Sequence, residues 1–189
     1  MKRLLFIFLC VISLSGCGLF SKKSVSPARV IGPDGLAAQI IDRDRLKAGG
    51  KLLLIPFSAG SGITASEELD RTSLTFVKGV LSTLQEESSP FQPLTASDAS
   101  QAEVVLKGHI IEKSKSAKVK SWIGRSRKTL AIEGKLVDKK SDRVILELKH
   151  RKTSRRKDET YNDLAAAIGV DIGKFLATGN TDGIAGTEK

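Results

Sequence analysis

Three segments alternate between apolar and polar residues with a period of two, and this pattern restricts the possible folds most. In a β-strand, residues two apart share one face. Charged residues such as Lys107, Glu133 and Lys149 fall on the opposite face, which should therefore contact water. The polar stretch 138–142 between the second and third segments is predicted to be a hairpin loop. The apolar positions are Val104, Leu106, Gly108 and Ile110, then Leu130, Ile132, Gly134 and Leu136, then Val144, Leu146 and Leu148.

Two further segments have helical periodicity. In the first, Thr64 and Glu67 form a candidate capping box, and the periodicity continues to Glu87. In the second, Thr160 is a candidate N-cap, and Gly179 is well placed to end the helix. The apolar faces contain Leu69, Ser73, Val77, Val80, Leu81 and Leu84 in the first segment and Leu164, Ala167, Ile168, Ile172, Phe175 and Leu176 in the second.

The run 51–57 between two glycine pairs is predicted to be a strand buried on both faces. With the other segments it gives the order β-α-β-β-β-α. Both amphipathic helices need a sheet face to cover, so the predicted fold class is α+β. We expect a two-layer sandwich, with a mainly antiparallel sheet of about four strands and two helices on one face. The domain should span residues 51–179.

The N-terminus has the layout of a secretory signal. Lys2 and Arg3 precede the uncharged, mostly apolar run 4–12. This run is shorter than the roughly 20 residues that a membrane-spanning helix needs. We therefore predict a signal peptide at residues 1–16. Because Cys10 lies within it, the mature chain would hold Cys17 alone and no disulfide.

The tetrapeptide Leu14-Ser15-Gly16-Cys17 resembles the lipobox of bacterial lipoproteins. The resemblance implies a diacylglycerol on the Cys17 sulfur, cleavage before Cys17 and acylation of the new amino terminus. Several acyl chains anchor a protein stably to a membrane. Residues 17–50 are then the lipidated cysteine and a tether, and residues 180–189 a disordered tail. Gly18 stands where an aspartate would retain a lipoprotein in the inner membrane, which implies an outer-membrane location on the periplasmic face.

Residues suited to catalysis are few. His109 and His150 are the only histidines, and neither has metal-ligand spacing to a cysteine or a second histidine. We interpret both as surface residues. The loop 59–62, which includes Gly60, Ser61 and Gly62, fits neither the phosphate-binding nor the dinucleotide-binding motif, which favours a tight turn. We expect no enzyme activity, no metal, and no cofactor besides the lipid on Cys17.

Positive charge is concentrated in two segments of a chain whose net charge is +10. Residues 113–128 and 149–157 contain no acidic residue, and the topology of a meander should bring both to one end of the sheet. We expect this end to bind an anion. The expected binding residues are Lys113, Lys115, Lys118, Lys120, Trp122, Arg125, Arg127, Lys128, Arg151, Lys152, Arg155 and Arg156.

The anionic partner is best sought in the cell envelope. Nucleic acid is the usual partner of such a patch, but an exported, lipid-anchored protein rarely meets it. Lipid phosphates, lipopolysaccharide, peptidoglycan carboxylates or an acidic protein surface are nearer. The basic residues could also lie on the membrane that holds Cys17. Trp122 would either serve the interface or cover the core edge; both interpretations stay open.

The motifs in residues 104–110, the basic loop around Trp122 and the segment 136–145 resemble an uncharacterised family of bacterial lipoproteins, the domain of unknown function numbered 4410. The resemblance covers residues 51–176. More distantly, the order of elements is similar to domains of the curli-secretion channel lipoprotein and the penicillin-binding-protein activator lipoprotein. These likenesses imply envelope assembly or regulation by binding, and as an alternative a subunit of an outer-membrane secretion channel or export complex.

Overall fold

The computed structural model describes residues 28–31, 35–116 and 127–178. Within these ranges the chain forms eight strands, three α-helices and one 3₁₀ helix. The strands are β1 (Ala28–Ile31), β2 (Leu36–Ile40), β3 (Gly50–Leu54), β4 (Ser58–Ala59), β5 (Phe91–Leu94), β6 (Val104–Ser116), β7 (Arg127–Asp138) and β8 (Val144–Thr153). The helices are α1 (Arg43–Ala48), α2 (Glu67–Glu86) and α3 (Tyr161–Thr178), and the 3₁₀ helix is Ala96–Gln101.

All described strands belong to one sheet, in the order β1-β2-β8-β7-β6-β3-β5, with β4 paired to β6 beside this path. The predicted meander β6-β7-β8 is antiparallel, and its predicted apolar face is buried. The α+β class is therefore confirmed. The expected count of four strands is wrong, because β1, β2, β4 and β5 add to the sheet. Three pairings, β3 with β5, β3 with β6, and β4 with β6, are parallel.

The additional strands β2 and β5 were not predicted from the sequence, and the reason is physical. Strand β2 pairs with β8 and buries Leu36, Ala38 and Ile40, although it lies before the expected domain start at Lys51. Its alternation is hidden because alanine occupies both a buried and a half-buried position. Strand β5 lies within residues 88–100, whose serine and proline content is typical of a loop. Strands of four or five residues carry too little periodicity to be recognised unless they form a continuous apolar run, as β3 does.

Helices α2 and α3 form the second layer and approach each other closely. A Cβ on Gly169 would lie 2.4 Å from the carbonyl oxygen of Phe76, and one on Gly79 would lie 2.7 Å from that of Ala166. Glycine at both positions allows the two backbones to touch. The N-cap of α2 is Ser66, whose Oγ accepts the Leu69 amide at 3.2 Å, and not the expected Thr64. The cap predicted for α3 is confirmed, because Thr160 and Asp163 bond reciprocally.

The Phe57 side chain is buried beneath two glycines of the sheet. Gly108 and Gly134 are directly paired across β6 and β7. A Cβ on either would lie 2.8 Å from the Phe57 ring. The ring also packs on Phe76, with centroids 4.6 Å apart. The two glycines thus make room for Phe57, a core aromatic residue that follows strand β3. In β3 itself, Leu52 and Leu54 are buried and Leu53 is only half-buried.

The end of the sheet that contains the β7–β8 hairpin, residues 138–143, is here called the hairpin end. Helix α1 closes the core there and buries Leu46. Arg45 Nε donates to Asp138 Oδ2 at 2.8 Å, and the Ser141 amide and hydroxyl donate to Asp138 Oδ1. The Arg45 hydrogen bond, followed by those from Ser141, holds the pKa of Asp138 well below its ordinary value. This carboxylate therefore joins α1 to the hairpin.

Candidate functional site: the basic end of the sheet

The two basic segments meet at the end of the sheet opposite the hairpin end. Across β6 and β7, Lys115 is paired with Lys128, and across β7 and β8, Lys152 is paired with Leu130 and Arg151 with Ala131. The predicted convergence is confirmed for the described residues. We call this the basic end and define it as Lys113, Lys115, Arg127, Lys128, Arg151, Lys152, Arg155, Arg156 and Lys157. The predicted site residues Lys118, Lys120, Trp122 and Arg125, and the lipidation site Cys17, lie outside the described residues.

Lys113 faces the helix layer and is mostly buried by it. Its Nζ lies 2.8 Å from a carboxylate oxygen of Glu68 in the first turn of α2. The same ammonium lies 4.9 Å from the centroid of the Tyr161 ring, at the start of α3. Its side chain is only 15% exposed. Lys113 therefore joins the sheet to the N-terminal turns of both helices, and little of its charge is presented to a partner.

Lys152 also faces the helix layer, in a cluster with Asp171 and His150. Lys152 Nζ lies 2.8 Å and His150 Nε2 lies 2.7 Å from the same Asp171 oxygen. Burial by itself would raise the pKa of Asp171, but the hydrogen bonds from His150 and Lys152 outweigh it and lower the pKa. His150 is fully buried, and its Nδ1 has no hydrogen-bond partner. The prediction of a surface histidine is wrong for His150, because it continues the buried alternation of β8.

Arg151 lies on the opposite, open face of the sheet. Its guanidinium lies 3.1 Å from Glu112 of β6. Ala131 of β7 is paired with Glu112 of β6 on one side and with Arg151 of β8 on the other. The ion pair therefore crosses β7 above the small Ala131 side chain. The Arg151 side chain is still 61% exposed. It can therefore contact a partner while its position is held by Glu112.

The loop between β8 and α3 is folded around the carboxylate of Glu159. The amides of Arg155 and Arg156 both donate to Glu159 Oε2, the latter at 3.0 Å. These bonds, that of Arg156 first, lower the pKa of Glu159. Glu159 also accepts Lys128 Nζ at its backbone carbonyl. The loop thereby holds the exposed residues Arg155, Arg156 and Lys157 beside the ends of β7 and β8.

Carboxylates from several elements offset part of the charge at the basic end, and these were not predicted from the sequence. Glu68 and Asp171 come from the two helices, and Glu112 comes from β6 itself. The acidic residues in the first turn of α2 could have indicated these contacts, because α2 must begin at the end of the sheet where β4 finishes. Within the basic end, the described residues that stay exposed are Lys115, Arg127, Arg151, Arg155, Arg156 and Lys157.

The remaining candidates for chemistry lie elsewhere. His109 is exposed on the open sheet face, as predicted, and its Nδ1 lies 2.7 Å from Ser58 Oγ. The glycine loop forms a turn in which the Gly60 amide donates to the Ile110 carbonyl and Gly62 has φ of 79°. Within residues 35–116 and 127–178, no three His, Cys, Asp or Glu side chains are grouped to hold a metal ion. The described helices include none with the length and apolar character needed to cross a bilayer.

Solved structures share this fold. The chain is similar to the PelC dodecamer from Paraburkholderia phytofirmans, with a TM-score of 0.51 and 12% identity over 79% of this chain and 95% of that one. A point variant of that dodecamer gives a TM-score of 0.53 and 10% identity over 75% of this chain and 97% of that one. Lipoprotein GNA1162 from Neisseria meningitidis gives a TM-score of 0.41 and 13% identity over 66% of this chain and 99% of that one, and this score is too low to support any inference.

At these identities the PelC likeness shows a common fold and nothing about activity. No protein-family model matches the sequence, and no curated protein matches it. The resemblance to the domain of unknown function numbered 4410 and to the curli channel lipoprotein therefore stays a prediction.

Proposed function

We propose that this chain is a lipid-anchored, non-enzymatic protein of the cell envelope that binds an anionic envelope component through its basic end. The signal-like N-terminus and the lipobox-like tetrapeptide ending at Cys17 support the anchor. An outer-membrane location on the periplasmic side follows from Gly18. The role would be in assembly, as an accessory factor or in regulation.

One observation carries the binding half of the proposal. Exposed arginines and lysines from two segments, separated in sequence, lie together at the ends of three adjacent strands. Guanidinium groups can form two parallel hydrogen bonds with a carboxylate or a phosphate. The carboxylates of Glu68, Glu112 and Asp171 are engaged by Lys113, Arg151 and Lys152, and Asp158 lies 3.9 Å from Arg156. Because the Arg156 and Asp158 side chains are both exposed, water screens that pair, and the exposed cations can still attract an anion.

The test is a charge reversal with a matched control. The lipidated full chain, held in nanodiscs of neutral lipid, is titrated with isolated envelope fractions. Arg127→Glu, Arg156→Glu and Lys157→Glu are combined in one variant, since all three side chains are exposed. We expect the unmodified chain to bind less tightly as the salt concentration rises from about 0.01 M to about 1 M, because the Debye length falls from about 30 Å to about 3 Å. We expect the triple variant not to bind.

The control reverses three exposed basic residues at or near the hairpin end, Lys47, Lys140 and Arg143, and so changes the net charge equally. We expect it to bind like the unmodified chain. Equal loss of binding in both variants would mean that net charge alone is sensed. Unchanged binding in the basic-end variant would refute the proposal.

A second candidate function is a subunit of an oligomeric secretion or export complex. It is favoured by the likeness in fold to PelC, which forms a dodecamer. Native mass spectrometry of the lipidated chain in detergent tests it. A ring of fixed stoichiometry would support this function, and monomers at every concentration would argue against it.

A further inference from the structure

The position of the basic end relative to the start of the domain carries a further inference, which rests on the proposed function. Ala28, the first described residue, is paired with Ile40, and Ile40 is paired with Leu146. Leu146 is the residue nearest the hairpin end among those of β8 that pair with β2, and it adjoins Ile145, whose carbonyl accepts the Ile41 amide. The chain therefore enters the sheet near the hairpin end.

The basic end lies at the other extreme of the same strands. Thr153, the last residue of β8, is seven residues beyond Leu146. At a rise of about 3.3 Å per residue, this separates the two ends by about 23 Å. Arg155, Arg156 and Lys157 follow Thr153 and lie beyond the strand end. The cations are thus on the side of the domain opposite the anchored N-terminal segment.

The length of the segment before Ala28 bears on how the domain sits on a membrane. Residues 17–27 number eleven and span at most about 40 Å when fully extended. To place the basic end on the anchoring bilayer, this segment would have to run back along the domain for about 23 Å. The hairpin end can face the bilayer without any such path.

We propose that the hairpin end faces the bilayer that holds Cys17, and that the basic end points away from it and binds an extended anionic polymer. The lipid headgroups of the anchoring bilayer are then not the partner.

The described surface favours a polymer over an acidic protein. Protein interfaces have an apolar core rich in large side chains. The exposed large hydrophobic residues of the described ranges are Ile41, Ile55 and Leu74, and none belongs to the basic end; Trp122 lies outside the described residues. The groove beside the basic end, between β8 and the first turns of α3, has a volume of about 290 Å³ and is open to solvent. Its charged lining consists of Arg151, Lys152 and Arg155 together with Glu159 and Asp163, whose carboxylates accept hydrogen bonds from the amides of Arg156 and Thr160. The cations beside this open groove suit a flexible polyanion that follows the surface.

Orientation is measured by energy transfer from single labels. The mature chain has no cysteine besides the lipidated Cys17, so Lys140→Cys, Lys78→Cys and Lys157→Cys each give one reactive thiol. Each lipidated variant carries a donor dye and is inserted in neutral vesicles with an acceptor on the lipid headgroups. We expect transfer to be strongest from position 140, intermediate from 78 and weakest from 157. Stronger transfer from 157 than from 140 would overturn the orientation.

Partner chemistry is measured on the same vesicles. Poly-L-glutamate is the polymer probe, vesicles of anionic lipid without protein are the headgroup probe, and serum albumin is the acidic-protein probe. We expect the polymer to bind in a salt-dependent way and to leave the transfer from position 157 low. Preferential capture of the anionic vesicles, or displacement of the polymer by albumin at lower charge concentration, would overturn the polymer assignment. Binding of none of the three would refute the proposed function, while the transfer ranking would still decide the orientation.

Discussion

The contact between Phe57 and the glycine pair of the sheet makes a quantitative prediction. In Gly134→Ala the new Cβ would lie 2.8 Å from Phe57 Cζ and 3.2 Å from Leu148 Cδ1. Overpacking of this kind costs about 1–3 kcal/mol. Alanine is otherwise better than glycine in a strand by about 0.5–1 kcal/mol. We therefore expect Gly134→Ala to lower the free energy of unfolding by about 1–2 kcal/mol.

The expected cost depends on the Phe57 ring. Phe57→Leu removes three buried side-chain carbons, which costs about 2–2.5 kcal/mol at about 0.8 kcal/mol each. It also removes Phe57 Cζ, the atom nearest to the alanine Cβ, and leaves the flexible end of Leu148 as the remaining close contact. In the Phe57→Leu background, Gly134→Ala should then be neutral or stabilising. The double variant should be more stable than the sum of the single effects by about 1–3 kcal/mol, within the range of about 0.5–3 kcal/mol found for residues in contact.

The assay is urea unfolding of the four proteins of this cycle, followed by circular dichroism. Gly108→Ala is the matched control. Its Cβ would lie 2.2 Å from the backbone oxygen of Glu133, which no change at Phe57 can relieve. We expect Gly108→Ala to be destabilising in both backgrounds. Additivity of Gly134→Ala and Phe57→Leu within about 0.5 kcal/mol would refute the reasoning.

Three further variants test the core and two half-buried carboxylates, Asp138 and Asp171. Because the pKa of Asp138 is lowered in the folded state, its contribution to stability is present above its ordinary value near 3.8 and is lost as the pH falls below it. Asp138→Asn should therefore flatten the fall of urea midpoint below about pH 4. Gly169→Ala, whose Cβ would meet the Phe76 carbonyl, should cost about 1–3 kcal/mol in urea unfolding. Asp171→Asn should cost about 1–3 kcal/mol at neutral pH, because it weakens the hydrogen bond that satisfies buried His150, and an unchanged midpoint would contradict this.

The regular parts of the fold could be predicted because their information is local. The meander and both long helices each contain enough residues for a period of two or of 3.6 to be recognised. The hairpin 138–142 was predicted from its length and polarity, and β7 indeed ends at Asp138. Strands β1, β2 and β5 were missed, because at four or five residues their pairing with long neighbours determines their conformation more than their own sequence does.

The sequence by itself determined the α+β class, the signal-like N-terminus with Cys17, and the convergence of the two basic segments, because these follow from periodicity, from a short motif and from the alternating directions of a meander. Only the tertiary structure decided how much of that charge is offset. Glu68 and Asp171 reach Lys113 and Lys152 from helices far away in sequence, and His150 is buried by packing against α3. Contacts between the sheet and the helices depend on how the two layers stack, and the periodicity of a sequence does not say which residues of the two layers meet.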